Sequence, residues 1–356
     1  MPSTPPAPAP VPASPVKTAA EVVTRCRSLL DAALSDQIDD LRRNGCALID
    51  FPDHGNVGDS AIWSGQIAWL DRHGIARKVA GDLNIDLAEI RALRGTVPVL
   101  LHGGGNFGDL WPRHQLFRER ILAEFPDRRV IQLPQSIHYD DVAMIAQTRA
   151  AIARHPRFLL LVRDHPSLDL ARDNFACETR LCPDMAFALG PQARPVQPDA
   201  DVLMLLRTDS ERRDGQAHVD VPDGWIVADW LQDDPDVWTR AAADARRRAI
   251  LSFNPARLGA AARRRDYLDN LSGRRIDRGL RLLSRARYVI TDRLHVHILC
   301  TLLDIPHCVL DNRYGKIARL SQAFGTRWAG VSQAATLPEA VATAREHLAR
   351  REPQTA

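Results

Sequence analysis

Arg293 and His295 stand one residue apart where an apolar run changes its period. Tyr288-Val-Ile-Thr291 is β-branched and reads as a buried strand. From Leu294 the apolar residues return every fourth position (Leu294, Ile298, Leu302), the repeat of one helix face. Thr291 or Asp292 at the junction is a suitable N-cap, which puts Arg293 and His295 in the first helical turn. A guanidinium, an imidazole and unpaired backbone N–H groups would then converge on one point, an anion site with a proton donor beside it. The same residues also suit a surface ion pair and a packed histidine, and the stretch alone leaves both readings open.

A second signal is a repeat. Gly55-Asn-Val-Gly-Asp59 follows the strand-like 47–51, and Gly105-Asn-Phe-Gly-Asp109 follows 97–101. Glycine lets backbone approach a ligand, while Asn and Asp hydrogen-bond a turn or a substrate hydroxyl. Two Asn/Gly turns joining strand to helix would look the same. Neither copy is a Walker loop or a clean GxGxxG, so nucleotide binding is not signalled. Arg163 leaves the apolar run 158–162 at a strand end, with Asp164 next to it as a helix cap or a counter-ion. His295 and His297 are spaced i, i+2, which on a helix points them apart, so no metal is expected there. There is no G-x-S-x-G elbow and no HExxH.

The elements that must position these groups alternate. Strands are expected at 46–51, 77–83, 97–101, 130–133, 158–162, 202–206, 225–230, 288–291 and 306–310. Helices are expected at 18–41, 60–73, 111–124, 140–153, 235–252, 276–284 and 336–350. This rhythm predicts parallel sheets covered by helices on both faces. With 356 residues, one hydrophobic core is seldom enough. We expect two Rossmann-like doubly wound domains, 18–195 and 200–335, facing across a cleft at the strand C-termini. Residues 336–356 would form a C-terminal helix packing back onto the first domain, and residues 1–17 a disordered Pro/Ala tail.

Composition excludes several classes. Hydrophobic residues at 45%, charged residues at 26% and a net charge of +3 describe an ordinary globular protein. No apolar run is long enough to span a bilayer. Six scattered cysteines with no CxxC pair suggest reduced thiols and a cytoplasmic location, the inner face of the membrane included. Arginines cluster from Arg240 to Arg287. That run reads as a solvated helix face or as a docking surface for an acidic glycan or anionic membrane. Without interleaved aromatics it does not suggest nucleic acid.

Six segments, in order, resemble the polysaccharide pyruvyl transferase family: Asp53-His-Gly-Asn-Val-Gly-Asp-Ser-Ala-Ile62, Leu101-His-Gly-Gly-Gly-Asn-Phe-Gly-Asp109, Gln132-Leu-Pro-Gln-Ser136, Val162-Arg-Asp164, Cys182-Pro-Asp-Met-Ala186 and Thr291-Asp-Arg-Leu-His295. The resemblance runs from about Cys46 to Tyr314. It implies a GT-B-like pair of domains and transfer of pyruvate from phosphoenolpyruvate, a co-substrate, onto two sugar hydroxyls, with no further cofactor. The product would be a cyclic ketal and phosphate. It assigns donor binding to Arg293 and, less directly, Arg163, with Thr291 and Asp292 beside them, and acid catalysis to His295. Asn56, Asp59, His102, Asn106 and Asp109 are expected to hold the acceptor, a sugar or lipid-linked oligosaccharide, with Asp59 or Asp109 deprotonating a hydroxyl. Two other readings fit this fold: a glycosyltransferase using a nucleotide sugar, and a non-catalytic glycan-binding or stress protein.

Overall fold

The computed structural model describes residues 18–208, 220–252, 259–311 and 314–350. The tail 1–17 lies outside them. The first half runs α1 (Ala19–Leu34), α2 (Ile38–Asn44), β1 (Cys46–Ile49), α3 (Val57–Arg72), β2 (Arg77–Ala80), α4 (Leu87–Arg91) and β3 (Val99–Leu101). It continues through β4 (Gly104–Gly108), α5 (Pro112–Glu124), β5 (Val130–His138), α6 (Val142–Ala153), β6 (Phe158–Val162), α7 (His165–Asn174) and β7 (Glu178–Leu181). After a 3-10 turn at Met185–Leu189 come β8 (Ala200–Leu205), β9 (Ile226–Val227), α8 (Val237–Leu251) and α9 (Ala260–Ser284). The chain closes with β10 (Ala286–Thr291), α10 (Leu294–Leu302), β11 (His307–Val309), α11 (Lys316–Phe324), β12 (Val331–Gln333) and α12 (Leu337–Ala349).

Two parallel sheets result, as the alternation requires. The first has the order β2-β1-β3-β5-β6-β7, with β4 added beside β5; the second has the order β12-β11-β10-β8-β9. Strands such as β1 and β6 are buried along their whole length, which is why they read as unbroken apolar runs. In each sheet the winding direction reverses once, between neighbours β1 and β3 and between β8 and β10. Crossovers that leave in opposite directions open a crevice at the strand C-termini. The residues after β1, β3, β8 and β10 are therefore the ones placed to bind.

The largest hydrophobic cluster spans both sheets, joining Leu48, Leu100 and Ile131 to Leu203, Val289 and Ile298 through α3, α9 and α10. Helix α9 explains much of this continuity. It feeds β10, yet it lies on α3 and β2 of the first half. Arg77 is paired with Asp269 at 2.6 Å, and Arg264 donates to Ala80 O at 2.8 Å and to Glu89. Fully buried Arg275 holds Asp233 at 2.7 Å and donates to Pro52 O, while Arg278 donates to Gly55 O and Trp230 O. Removing one partner of such a buried pair costs about 3–5 kcal/mol, because the other charge is stranded. The solvated or membrane-facing role expected for the arginine run is thus corrected for Arg264, Arg265, Arg275 and Arg278 of α9, which join the two halves, while Arg263 is exposed and Arg281 pairs with Asp277 on its own helix. Arg246, Arg247 and Arg248 on α8 do remain exposed.

Two further expectations change. Helix α12 packs on β10 and β11 of the second sheet through Leu337, Val341 and Ala344, not on the first. The helix expected at 276–284 begins at Ala260, its polar first turns having hidden the period. Among the described residues no helix is long and apolar enough to cross a membrane.

Candidate active site

A cleft of about 450 Å³ opens where the C-terminal edges of both sheets meet, lined from the first half by His54, Asn56, Asp59, His102, Asn106 and Arg163. Arg207, Trp230, Arg293, His295 and Lys316 line it from the second half.

Asn56 is the N-cap of α3: its Oδ1 accepts from Gly58 N at 3.0 Å, while its Nδ2 donates to Asp59 Oδ2 at 2.8 Å. Asp59 is thereby fixed in the first turn, with His54 Nε2 at 3.6 Å. Burial would raise its pKa, but the charges of His54, His295, His102 and Arg163 outweigh burial and lower it. Gly58 has a different use. A β-carbon there would lie 2.5 Å from His295 Nδ1, so only glycine lets the imidazole rest on the start of α3.

His295 is held from its other edge. Its Nε2 lies 3.3 Å from Asp184 Oδ2, and Arg163 Nη1 is 2.5 Å from the same oxygen. Asp184 is buried; burial would push its pKa up, yet His295, Arg163 and the Ala186 N–H together hold it well below the usual carboxylate range. An ionised carboxylate can only accept, so Nε2 carries a hydrogen and Nδ1 is the nitrogen left for chemistry. Arg163 spends Nε on Ser136 Oγ at 3.0 Å and Nη1 on Asp184. Its Nη2 lies 3.2 Å from where a β-carbon of Gly105 would be, with Lys316 Nζ 3.7 Å from the same point. Two cations therefore converge over one glycine. Of the two roles expected for Asp164 the structure has the helix cap, its Oδ1 accepting from Ser167 N at the start of α7, while Arg163 pairs with Asp184. Arg293 reaches Asp229 Oδ1 at 2.9 Å from the other sheet.

Asn106 is locked by a buried network. Arg118 Nη2 and Gln135 Nε2 both donate to its Oδ1, at 3.0 and 2.7 Å, so its Nδ2 must face outward, toward Asp50 and the cleft. Arg118 is itself buried, stacked 4.4 Å above Phe107 and surrounded by the amides of Gln115 and Gln132. His102 is almost wholly buried with Nδ1 3.2 Å from Gln66 Oε1, and burial pushes its pKa down to about 4. Beside it, His114 Nδ1 sits 2.7 Å from buried Asp50 Oδ1.

Seven expected site residues meet here: Asn56, Asp59, His102, Asn106, Arg163, Arg293 and His295. Three do not. Thr291 Oγ1 donates to Leu205 O and accepts from Arg293 N, and Asp292 Oδ1 accepts from Arg207 N. Both stitch β10 to the end of β8 behind the cleft wall, and burial raises the Asp292 pKa. Neither side chain caps α10: its N-cap is Arg293, and no side chain bonds the cap. Asp109 points away, accepting from Asp140 N and Asp141 N at 2.6 Å each. His297 lies in the interior on His307 and Thr326. Asp184, Lys316, Arg207 and the Asp50–His114 pair escaped the sequence reading. Asp184 lies in the segment Cys182–Ala186 with no arginine or histidine beside it in that segment to mark it, and Lys316 is a lone lysine between Gly315 and Ile317.

Fold and cleft describe an α/β enzyme with cations and a carboxylate-held imidazole at the meeting of two switch points. The chain belongs to the polysaccharide pyruvyl transferase family, which residues 56–314 match. It is similar to Pyruvyl transferase 1 of Schizosaccharomyces pombe, 36% identical over 296 residues covering 76% of this chain and 67% of that protein. The putative pyruvyl transferase EpsO of Bacillus subtilis is 33% identical over 281 residues, 76% of this chain and 82% of that one. General stress protein 30 of the same bacterium is 25% identical over 279 residues, 76% and 74%. In fold it is similar to a functionally uncharacterised Klebsiella pneumoniae protein, with a TM-score of 0.58 at 18% identity over 86% of this chain and 99% of that one. The chain is thus a transferase of this family.

Proposed function

We propose that the enzyme moves pyruvate from phosphoenolpyruvate onto two hydroxyls of a sugar in a cell-surface polysaccharide or glycolipid, forming a ketal and releasing phosphate. The two sheets then act as GT-B-like lobes with the donor between them. Phosphoenolpyruvate carries a phosphate and a carboxylate a few bonds apart, and the cleft offers cations from both halves: Arg163 and Lys316 over Gly105, and Arg293 with Arg207. Each charge-assisted hydrogen bond contributes about 1.5–3 kcal/mol. The enol carbon needs a proton as the sugar oxygen attacks its neighbour. His295 supplies it from Nδ1, since Asp184 retains the hydrogen on Nε2. Trp111, 56% exposed at the rim, presents an apolar face to a sugar ring, and Asp59, His102 and Asn106 meet its hydroxyls.

The observation that supports this reading most is the convergence of His295, Arg163 and Lys316 on the two glycines Gly58 and Gly105. A thermal-shift panel tests it: phosphoenolpyruvate should raise the Tm, and uridine or guanosine diphosphate sugars should not. Phosphate should appear only with a sugar acceptor. His295→Ala should lower turnover about 10²–10⁴-fold with little change in the shift given by phosphoenolpyruvate, whereas Arg293→Ala should diminish that shift. Stabilisation by a nucleotide sugar alone would transfer the chain to the glycosyltransferase reading.

A further inference from the structure

The cleft contains a second carboxylate–imidazole pair that donor chemistry leaves unused. Asp50 directly follows β1 at φ 71°, in the left-handed region, and is 1% exposed. That turn aims its carboxylate inward, Oδ1 at 2.7 Å from His114 Nδ1 and Oδ2 at 3.5 Å from Asn106 Nδ2. His114 rises from the first turn of α5, and its ring, 20% exposed, lines the cleft. A carboxylate can only accept, so in the neutral ring Nδ1 holds the hydrogen and Nε2 carries a lone pair. That is the arrangement of a base oriented by an acid behind it.

We propose that His114, oriented by Asp50, is the general base that takes the proton from the attacking hydroxyl of the sugar acceptor. The inference rests on the pyruvyl-transfer reading. The other candidates are less suited. Asp59 is already engaged by Asn56 and His54, and the cations around it lower its pKa and weaken it as a base. Asp109 does not reach the cleft, and His102 is buried against Gln66.

The step balances. The first hydroxyl gives its proton to His114 Nε2 as its oxygen bonds the central carbon of the enol phosphate, and the methylene takes a proton from His295 to become methyl. The second hydroxyl then displaces phosphate from that carbon. Its proton returns to His295, and the proton on His114 leaves with the phosphate.

The test uses the full chain with phosphoenolpyruvate and a panel of p-nitrophenyl hexopyranosides, the acceptor being the one with which the wild type releases most phosphate. His114→Ala should lower kcat about 10²–10⁴-fold while keeping the wild-type thermal shift with phosphoenolpyruvate, and added imidazole should restore part of the rate. Asp50→Asn, which tolerates the left-handed backbone, should lower kcat with KM for phosphoenolpyruvate unchanged, and imidazole should not rescue it. A His114→Ala or His114→Gln enzyme with wild-type kcat overturns the proposal, as does a loss of rate that imidazole leaves untouched. If the wild type releases no phosphate with any panel member and gains no stability from phosphoenolpyruvate, the pyruvyl-transfer reading itself falls.

Discussion

The segments 55–59 and 105–109 share the letters Gly-Asn-x-Gly-Asp, and both follow a strand of the first sheet, yet they do different work. In the first, Asn56 caps α3 and Asp59 sits one turn in, facing the cleft. In the second, residues 104–108 form β4 along β5, Asn106 is pinned by Arg118 and Gln135, and Asp109 turns away to hold the 140–141 backbone. The neighbours make the difference. Gly58 lies under His295 from the second sheet, so its segment begins a helix at the contact between halves. Its counterpart has β5 alongside, and the ladder takes the backbone that a helix would have used. A short motif specifies which hydrogen bonds are available; the partner within reach decides which are made.

The largest effect is expected at the glycine of the first segment. Gly58→Ala places a methyl 2.5 Å from His295 Nδ1 and should displace the ring, lowering kcat about 10²-fold. Circular dichroism and Tm should change little. Wild-type turnover would show that His295 does not depend on this contact.

The histidine before the second segment offers a pH handle. Burial holds His102 at a pKa of about 4 against 6.5 when unfolded. Between those values the unfolded chain binds the extra proton, so stability falls as pH drops from 6.5 toward 4 and is insensitive to this group above 6.5. The loss amounts to about 2–3 kcal/mol. Urea melts across that range should be flatter for His102→Gln, and an unchanged slope would remove His102 as the cause.

The paired aspartates should give the smallest effects and the sharpest contrast. Asp59→Asn should raise the acceptor KM about tenfold, one charged hydrogen bond's worth, with little loss of Tm. Asp109→Asn should cost about 1–2 kcal/mol of stability and leave KM and kcat unchanged. The reverse pattern in steady-state kinetics and thermal melts would mean that the two segments have exchanged roles.

Local chemistry was legible where it depends on neighbours in sequence. The buried stretches 46–49, 158–162 and 288–291 appear as apolar or β-branched runs, and the strand-to-helix change at 291–294 marks Arg293 and His295. Legibility ended where a partner lies far along the chain. The nominal caps Thr291 and Asp292 serve β8, more than eighty residues earlier. Arg264, Arg275 and Arg278 of α9, indistinguishable from a solvated face by composition, bind Glu89 and the carbonyls of Ala80, Pro52 and Gly55 in the first half.

From the sequence alone follow the parallel α/β class, the strand ends that line the cleft, and the residue types able to bind an anion and move a proton. Those are consequences of periodicity and side-chain chemistry, which are local. Tertiary structure decided that Asp184 ties Arg163 to His295, that Lys316 and Arg163 share one glycine, that Asp50 backs His114, and that Asp109 stands outside. Each is a contact between residues distant in the chain, set by how the two sheets and α9 pack, and no spacing in sequence encodes a distance of that kind.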